Sequence, residues 1–194
     1  MFLPVSKQDL EIRGIEQLDF ILISGDAYVD HPSFGVAIIS RILERHGYTV
    51  GIIAQPDMTN DEAFKELGEP RLGFLVTSGN IDSMVNHYTA NKRLRSNDAY
   101  TAGNVSGFRP DYPVKVYTGI LKELFPDTPV IIGGVEASLR RVTHYDYWQD
   151  KLQKSMLIES GADLLVYGMG EKPLGEIVSL MQKGVPFEKI NTVK

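Results

Sequence analysis

Cysteine is absent from the 194 residues of this chain. Without a thiol, the chain forms no disulfide, offers no thiolate nucleophile and supplies no cysteine ligand to an iron-sulfur cluster. The absence of cysteine is also typical of proteins from a reducing compartment. Thiol chemistry and cysteine-ligated clusters are therefore excluded for the residues of this chain.

Long apolar runs and an excess of basic residues are missing too. No run approaches the roughly 20 apolar residues that span a bilayer, and the first eight residues lack the basic start and apolar core of a signal peptide. The net charge is -5, whereas sequence-independent binding to a phosphate backbone needs a basic face. We therefore expect a cytoplasmic protein that has neither a membrane nor a nucleic acid as its partner.

The residues that are present have the composition of an ordinary globular domain. Hydrophobic residues make up 43% of the chain and charged residues 23%, unlike the apolar-poor and highly charged composition of disordered chains. The length lies within the usual range for one domain. We therefore expect residues 1–194 to form a single domain.

Short apolar runs alternate with helical patterns along most of the chain. Strands are predicted at residues 19–24, 48–54, 72–77, 130–132 and 163–167. Helices are predicted at residues 36–43, 59–67, 114–125 and 174–181, with Ser33 and Asn60 as N-caps of the first two. The spacing of Tyr145, Trp148, Leu152 and Met156 predicts one more helix.

This alternation predicts an α/β fold of three layers, with a doubly wound parallel sheet of about five strands in a flavodoxin-like or Rossmann-like arrangement. We expect the strand order 2-1-3-4-5, with 3-2-1-4-5 as the alternative. The regularity breaks over residues 80–112, an irregular insertion of which residues 97–112 are polar and without a period. Such a long loop inside a compact domain is usually functional or mobile.

Candidate site residues follow the strands at one edge of the predicted sheet. Open α/β sheets bind ligands at the carboxyl ends of their strands, where glycines let a backbone approach closely and helix N-termini offer N–H groups. Glycines and N-caps also serve ordinary strand-to-helix turns, so both interpretations stay open. The candidates are Asp26, Asp30, His31, Ser33, Gly35, Ser78, Gly79, Asn80, Asp82, Gly133, Gly134, Glu136, Ser138, Arg140, Arg141, Gly168, Gly170 and Glu171.

Acidic residues and a histidine cluster after the first strand. Asp26, Asp30 and His31 combine carboxylate and imidazole groups, which suit metal binding or acid-base chemistry. No spacing such as His-Glu-x-x-His supports a metal site, so we favour capping of the next helix by Asp30. A metal-dependent hydrolase that also uses Asp82 and His144 remains a hypothesis, and it requires at least three of these side chains to converge on one ion.

The segment after the last strand contains Gly168-Met-Gly170, which opens like a dinucleotide fingerprint. Pro173 occupies the third glycine position, and the motif follows the last strand rather than the first. The sequence therefore argues against dinucleotide binding.

Seven segments in order carry a family resemblance over essentially the whole chain. They include Gly25-Asp-Ala-Tyr-Val-Asp-His-Pro-Ser-Phe-Gly35, Gly133-Gly-Val-Glu-Ala-Ser-Leu-Arg-Arg141 and His144-Tyr-Asp-Tyr-Trp148, with further segments at residues 51–56, 79–84, 86–92 and 163–171. Together these segments resemble the N-terminal domain of YgiQ-type radical S-adenosylmethionine (SAM) proteins.

The resemblance implies that this domain precedes a radical SAM barrel in the same polypeptide. Such a barrel binds SAM and a 4Fe-4S cluster on a CxxxCxxC motif. Because the chain has no cysteine, we expect the cluster and SAM in the full-length protein and no cofactor within this chain. The implied function is that of an N-terminal accessory domain that contributes substrate, cofactor or partner binding at the C-terminal edge of its sheet.

The predicted fold and its place before a barrel are also similar to the cobalamin-binding domains of other radical SAM enzymes. Their Asp-x-His-x-x-Gly signature is not met, because Asp30 and His31 are adjacent and Gly35 follows His31 by four. Cobalamin without a protein ligand stays open, because Ser78 and Gly133-Gly134 lie on loops comparable to those that embrace the corrin tail. A stand-alone cobalamin- or nucleotide-binding module is therefore the alternative function.

Overall fold

Five parallel strands form the central sheet of the computed structural model, which describes residues 2–190. The strands of the molecule are β1 (Phe20–Ser24), β2 (Val50–Ala54), β3 (Gly73–Thr77), β4 (Val130–Gly133), β5 (His144–Asp146), β6 (Lys151–Gln153) and β7 (Leu164–Leu165). The sheet order is β2-β1-β3-β4-β7. The predicted parallel sheet and its order 2-1-3-4-5 are therefore confirmed, with β7 as the fifth strand.

Helices cover both faces of this sheet. They are α1 (Lys7–Arg13), α2 (Gly35–Arg45), α3 (Asp61–Phe64), α4 (Ser83–His87), α5 (Pro113–Leu124), α6 (Gly134–Leu139), α7 (Met156–Ser160) and α8 (Glu171–Gln182), with 3-10 turns at Ala102–Asn104 and Phe187–Lys189. Within residues 2–190, no helix combines the length and the apolar character that crossing a bilayer requires.

The strands are apolar throughout because both of their faces are buried. Successive side chains of a strand point to opposite faces, so Ile21 and Ile23 of β1 pack in one core while Phe20 and Leu22 pack in the other. Tyr117 of α5 belongs to the first core. Residues of α2 and α8 belong to the second, and the result is a three-layer domain.

The predicted helix through Tyr145 and Leu152 is wrong. This region forms a hairpin in which β5 and β6 pair antiparallel, and a helix begins only at Met156. The physical reason is the connecting turn, because Asp146 Oδ1 accepts hydrogen bonds from the backbone N–H groups of Trp148 and Gln149, both at 2.9 Å. Side-chain bonds of this kind favour turns over helices.

Two N-cap predictions have opposite outcomes. Asn60 caps α3, since its side chain accepts a hydrogen bond from the Glu62 backbone N–H. Ser33 does not cap α2, because the N-cap position is Phe34, whose side chain makes no capping hydrogen bond. The helix instead receives help from a distant loop, because Asn80 Oδ1 accepts a hydrogen bond from the Gly35 backbone N–H at 3.3 Å.

The insertion over residues 80–112 contains little regular structure. It holds α4, the 3-10 turn at Ala102–Asn104, and two isolated bridges that join Tyr88 to Leu94 and Asn97 to Val105. Its remaining shape depends on side-chain contacts with the carboxyl ends of the strands. Those contacts include most of the buried charges of the domain.

Close packing on β2 leads to a first prediction. A Cβ added at Gly51 would lie 2.5 Å from Leu18 Cδ1 and 2.6 Å from Leu67 Cδ1. Gly51→Ala is therefore expected to lower the free energy of unfolding by about 1–3 kcal/mol, as overpacking typically does. Gly119→Ala is the control, since it adds a methyl group within α5 where no atom lies within 4 Å.

Urea unfolding of both variants measures this difference. Gly119→Ala is expected to raise the free energy of unfolding by up to about 1 kcal/mol, because glycine weakens a helix interior. Equal effects of the two alanines would contradict the packing described for β2.

Candidate functional site

An apolar groove lies at the carboxyl ends of the central strands, between α2 and α8. It has a volume of about 210 Å³. Leu75 and Ile131 of the sheet, Ile39 of α2 and Leu174 of α8 are among its apolar lining residues. Seven of the predicted site residues also line it, namely Gly35, Gly79, Gly133, Gly134, Gly168, Gly170 and Glu171.

Some of these glycines are required by the fold whether or not a ligand binds. Gly79 has a φ of +104° and Gly134 a φ of +84°, values that disfavour residues with a Cβ. A Cβ at Gly79 would overlap the Asp26 carboxylate, and one at Gly134 would overlap the Thr77 side chain. At these two positions glycine is therefore required by the packing of the turn. The backbone of both residues also lines the groove.

A buried arginine joins the sheet edge to the insertion. The side chain of Arg109 is 0% exposed. Its Nη1 donates to Asp26 Oδ1 at 2.7 Å and to the Ser78 carbonyl at 2.9 Å. Its Nη2 donates to both carboxylate oxygens of Asp98, at 2.9 and 2.7 Å. One guanidinium thus connects the ends of β1 and β3 with the middle of the insertion.

The two carboxylates that share this arginine titrate differently. Burial raises the pKa of Asp26 to about 6, although the Asn80 backbone N–H and Arg109 oppose the rise. Burial would also raise the pKa of Asp98, but hydrogen bonds from Arg109 and from the Tyr100 backbone N–H outweigh it and hold that pKa below its usual value.

The raised pKa of Asp26 makes the folding stability depend on pH. The folded pKa lies above the ordinary value of 3.8, so the folded state binds the proton more tightly than the unfolded state. The contribution of Asp26 to stability is therefore complete below pH 3.8 and is lost as the pH rises through about 6.

A second buried network holds Glu136, which is 0% exposed. Its Oε2 accepts hydrogen bonds from the Ser83 hydroxyl at 2.6 Å and the Ser83 backbone N–H at 3.2 Å, and its Oε1 accepts from the Val114 N–H at 3.3 Å. Burial raises the pKa of Glu136. This carboxyl group therefore ties α6 to the first turns of α4 and α5.

Asp82 and Arg140 lie beside Glu136 and form an ion pair. Asp82 Oδ1 also accepts from the backbone N–H groups of Met84 and Val85, at 3.1 and 3.2 Å, so it is the N-cap of α4. The guanidinium of Arg140 lies 5.3 Å from the centre of the Tyr112 ring. The predicted site residues Asp82, Glu136 and Arg140 therefore lie together. They face inward and join α4 to α6.

The remaining acidic candidate after β1 takes part in a different contact. We expected Asp30 to cap α2, but it is not the N-cap residue of this helix. Asp30 instead forms an ion pair with Arg41, one turn and a half into that helix. His31 is exposed, and its Nδ1 accepts a hydrogen bond from the Ser33 backbone N–H at 3.1 Å. The Ser33 carbonyl in turn accepts from Asn80 Nδ2 at 3.2 Å.

Two candidates after β4 hold the edge of the groove together. The Ser138 hydroxyl donates to the Gly134 carbonyl at 2.7 Å and accepts from the Gly168 N–H at 3.0 Å. Arg141 stacks its guanidinium 5.3 Å from the centre of the Tyr167 ring. The segments that follow β4 and β7 are therefore in direct contact.

The convergence required by the hydrolase hypothesis is not found among residues 2–190. Asp26, Asp30 and Asp82 each pair with a different arginine, and His144 Nδ1 contacts the Val142 carbonyl. The described residues contain no group of three or more His, Cys, Asp or Glu side chains that could hold a metal ion. Nor do the residues of the chain fit a 4Fe-4S cluster, because cysteine is absent.

Arg109 and Asp98 are the site residues that sequence reasoning missed. Both lie in the part of the insertion that has no periodic pattern, and Arg109 pairs with a carboxylate 83 residues away. In the sequence, Arg109 is followed by Pro110, and this dipeptide gives no information about the partner of the arginine.

Comparisons with known proteins identify relatives of the whole chain. The family model described as radical SAM N-terminal matches residues 2–194. A UPF0313 protein of Clostridium botulinum (strain 657 / Type Ba4) is 60% identical over 193 residues, which is 100% of this chain and 30% of that protein. A UPF0313 protein of Porphyromonas gingivalis is 59% identical over 194 residues, covering 100% of this chain and 31% of that protein.

A more distant relative gives the same picture. A UPF0313 protein of Shewanella oneidensis is 54% identical over 193 residues, covering 100% of this chain and 25% of that protein. The chain therefore spans about a quarter to a third of the length of these curated relatives. No solved structure gives a significant match.

Removal of the buried guanidinium tests the link between sheet and insertion. Arg109→Met leaves the carboxylates of Asp26 and Asp98 buried without their cation, so the free energy of unfolding is expected to fall by about 3–5 kcal/mol. Arg93→Met is the matched control in the same insertion. Its side chain is exposed, and its effect is expected to stay within about 0.5 kcal/mol.

Urea unfolding measures these values, and a triple variant separates charge from packing. Combining Arg109→Met with Asp26→Asn and Asp98→Asn removes the uncompensated charges and is expected to recover part of the loss. Equal stability of Arg109→Met and Arg93→Met would refute the structural role of Arg109.

Proposed function

The chain belongs to the radical SAM N-terminal family, and from this premise we propose that it is the N-terminal accessory domain of a radical SAM iron-sulfur enzyme. The observation that carries the proposal is the family match over residues 2–194 in a chain that spans only 30% of its first relatives. The absence of cysteine agrees with a cluster and a SAM site in the rest of the polypeptide.

The part that this domain plays in the proposal is binding rather than catalysis. The carboxyl edge of its sheet offers a groove with an apolar lining and a backbone exposed by glycines, which are properties of ligand sites in open α/β sheets. The buried carboxylates near it are engaged with arginines or backbone N–H groups. We therefore assign substrate, cofactor or partner binding to this edge and no catalytic residue to this chain.

A second candidate is a stand-alone module that binds cobalamin or a nucleotide in the groove. The observation that favours it is the combination of a volume of about 210 Å³ with an almost entirely apolar lining. Among the described residues that line the groove, Glu171 is the one with a charged side chain. A phosphate group would meet this carboxylate without a compensating lysine or arginine, so the groove itself suits a flat apolar ring, such as the dimethylbenzimidazole ring of cobalamin, with the attached phosphate outside the groove.

Production of the full-length polypeptide tests the leading proposal. After anaerobic reconstitution with iron and sulfide, the full-length protein is expected to be brown, to contain about four irons per chain as a 4Fe-4S cluster requires, and to cleave SAM reductively. Residues 1–194 alone are expected to do neither. Full-length protein in which alanine replaces the cysteines of the expected downstream motif is the matched control, and it should be colourless. A wild-type full-length protein that is colourless and inert after reconstitution would refute the proposal.

Titration with hydroxocobalamin, ATP and SAM tests the second candidate. A saturable change in the cobalamin absorbance spectrum is expected for the wild-type chain. Ile39→Trp fills the groove and should weaken binding at least tenfold, whereas Ile42→Trp on the same helix lies outside the groove lining and should have little effect. Binding that ignores Ile39→Trp would place the ligand elsewhere, and no saturable signal would eliminate this candidate.

A further inference from the structure

Exposed apolar side chains concentrate on the segments that follow β4 and β7. Leu139 is 60% exposed, Leu152 74%, Tyr167 63% and Met169 78%. Soluble monomers rarely leave large contiguous apolar areas in water, and such areas mark interaction sites. We call this set the α6 surface, and it consists of Val135, Leu139, Val142, Tyr145, Leu152, Tyr167 and Met169.

Two contacts make one part of the α6 surface continuous. The guanidinium of Arg141 stacks on the Tyr167 ring, and the Gly168 N–H donates to the Ser138 hydroxyl. These contacts hold the end of α6 against the segment after β7. Leu139 and Met169, the chain neighbours of Ser138 and Gly168, therefore belong to adjacent segments.

The hairpin adds two exposed apolar side chains next to the end of α6, where the Met156 backbone N–H donates to the Arg140 carbonyl at 2.7 Å. Tyr145 of β5 lies directly opposite Leu152 of β6, so both side chains share one face of the hairpin. Side chains alternate along a strand, and the next residue, Asp146, is only 4% exposed and accepts a hydrogen bond from the Tyr112 hydroxyl at 2.7 Å. Because Asp146 faces the body of the domain, Tyr145 and Leu152 face away from it.

We infer that the α6 surface is the docking surface for the rest of the same polypeptide. This inference rests on the proposed function and names the surface through which the domain meets its partner. The length of the first relative favours this occupant, because about 70% of that protein lies outside the part that this chain matches, given a coverage of 30%. Domains joined in one chain usually share an interface of roughly 600–1,500 Å².

The composition of the α6 surface also favours a protein as its partner. The seven side chains of this surface come from α6, the link after it, the hairpin and the segment after β7, whereas small ligands usually bind in a concave pocket. Its apolar character and the net charge of -5 do not suit an anionic membrane or a nucleic acid. The rest of the same polypeptide can present an apolar protein surface, and the covalent link holds that surface at a high effective concentration.

Methionine oxidation in the full-length protein tests the docking directly, because the rate at which peroxide oxidises a methionine follows its exposure. Met169 is 78% exposed in this domain and Met58 is 44% exposed, whereas Met84 is 4% and Met156 3% exposed. If the α6 surface is covered, Met169 in the full-length protein should oxidise at least fivefold more slowly than Met58, close to the rate of Met156. Mass spectrometry of the peptides gives all four rates in one sample.

Dilution and a pair of variants identify what covers the surface. Protection of Met169 should be independent of protein concentration, and Leu139→Asp should raise its oxidation rate severalfold. Ile12→Asp is the matched control, since Ile12 is 71% exposed on α1 and should leave the rate unchanged. Protection that disappears on dilution would assign the surface to a second copy of the chain and overturn the inference.

Rapid oxidation of Met169 in the full-length protein would also overturn the inference. That result would leave the proposed function standing if the same sample carries the cluster and cleaves SAM. A sample with a protected Met169 but with neither cluster nor SAM cleavage would refute the enzyme class and keep the docking surface.

Discussion

The ion pairs of Arg109 hold together the two parts of the domain that sequence patterns describe differently, the regular sheet and the irregular insertion. A guanidinium with no solvent exposure is costly to bury unless its donors are satisfied. Here Asp26, Asp98 and the Ser78 carbonyl accept four hydrogen bonds of 2.7–2.9 Å from Nη1 and Nη2, while Nε has no hydrogen-bond partner among the described residues. These hydrogen bonds hold the loop before Arg109 across the ends of β1 and β3.

The buried network around Glu136 also joins the insertion to the regular part of the fold. Glu136 in the first turn of α6 and Arg140 at its C-cap reach Ser83 and Asp82 at the start of α4. Asp26, Glu136 and Arg140 at the carboxyl edge of the sheet thus point inward and stabilise the fold. The groove beside them is lined mainly by backbone and apolar side chains, with Glu171 as the charged residue among its described lining residues. In the proposed function, recognition at this edge would depend on shape and apolar contact more than on charge.

The sequence predicted the fold much better than the site. Short buried strands such as 20–24 and 73–77, and the helix over 113–124, follow from apolar periods that need only local information. The strand order was also predicted correctly. The helix predicted through Tyr145 failed because an aspartate at the start of a turn competes with helical hydrogen bonds. Arg109 was missed because a pairing across 83 residues leaves no local pattern.

The candidate residues illustrate how far composition can predict a site. Glycines follow successive strands at the carboxyl edge of the sheet, and seven of the eighteen candidates line one groove there. The carboxylates and the histidine gave no such information, because carboxylates with the same local character form a helix cap at Asp82, an ion pair at Asp30 and a buried link at Glu136. Which role each side chain takes depends on partners that lie far away in sequence.

The groove and the α6 surface meet at Met169, which lines the first and belongs to the second. A partner that covers the α6 surface therefore also narrows the mouth of the groove. Closing an apolar site in this way excludes water and strengthens the polar interactions made within it. In the proposed enzyme, a group held in the groove would then lie at the boundary between this domain and the rest of the polypeptide. A domain to which the proposal assigns no catalytic side chain can contribute to a reaction from that position.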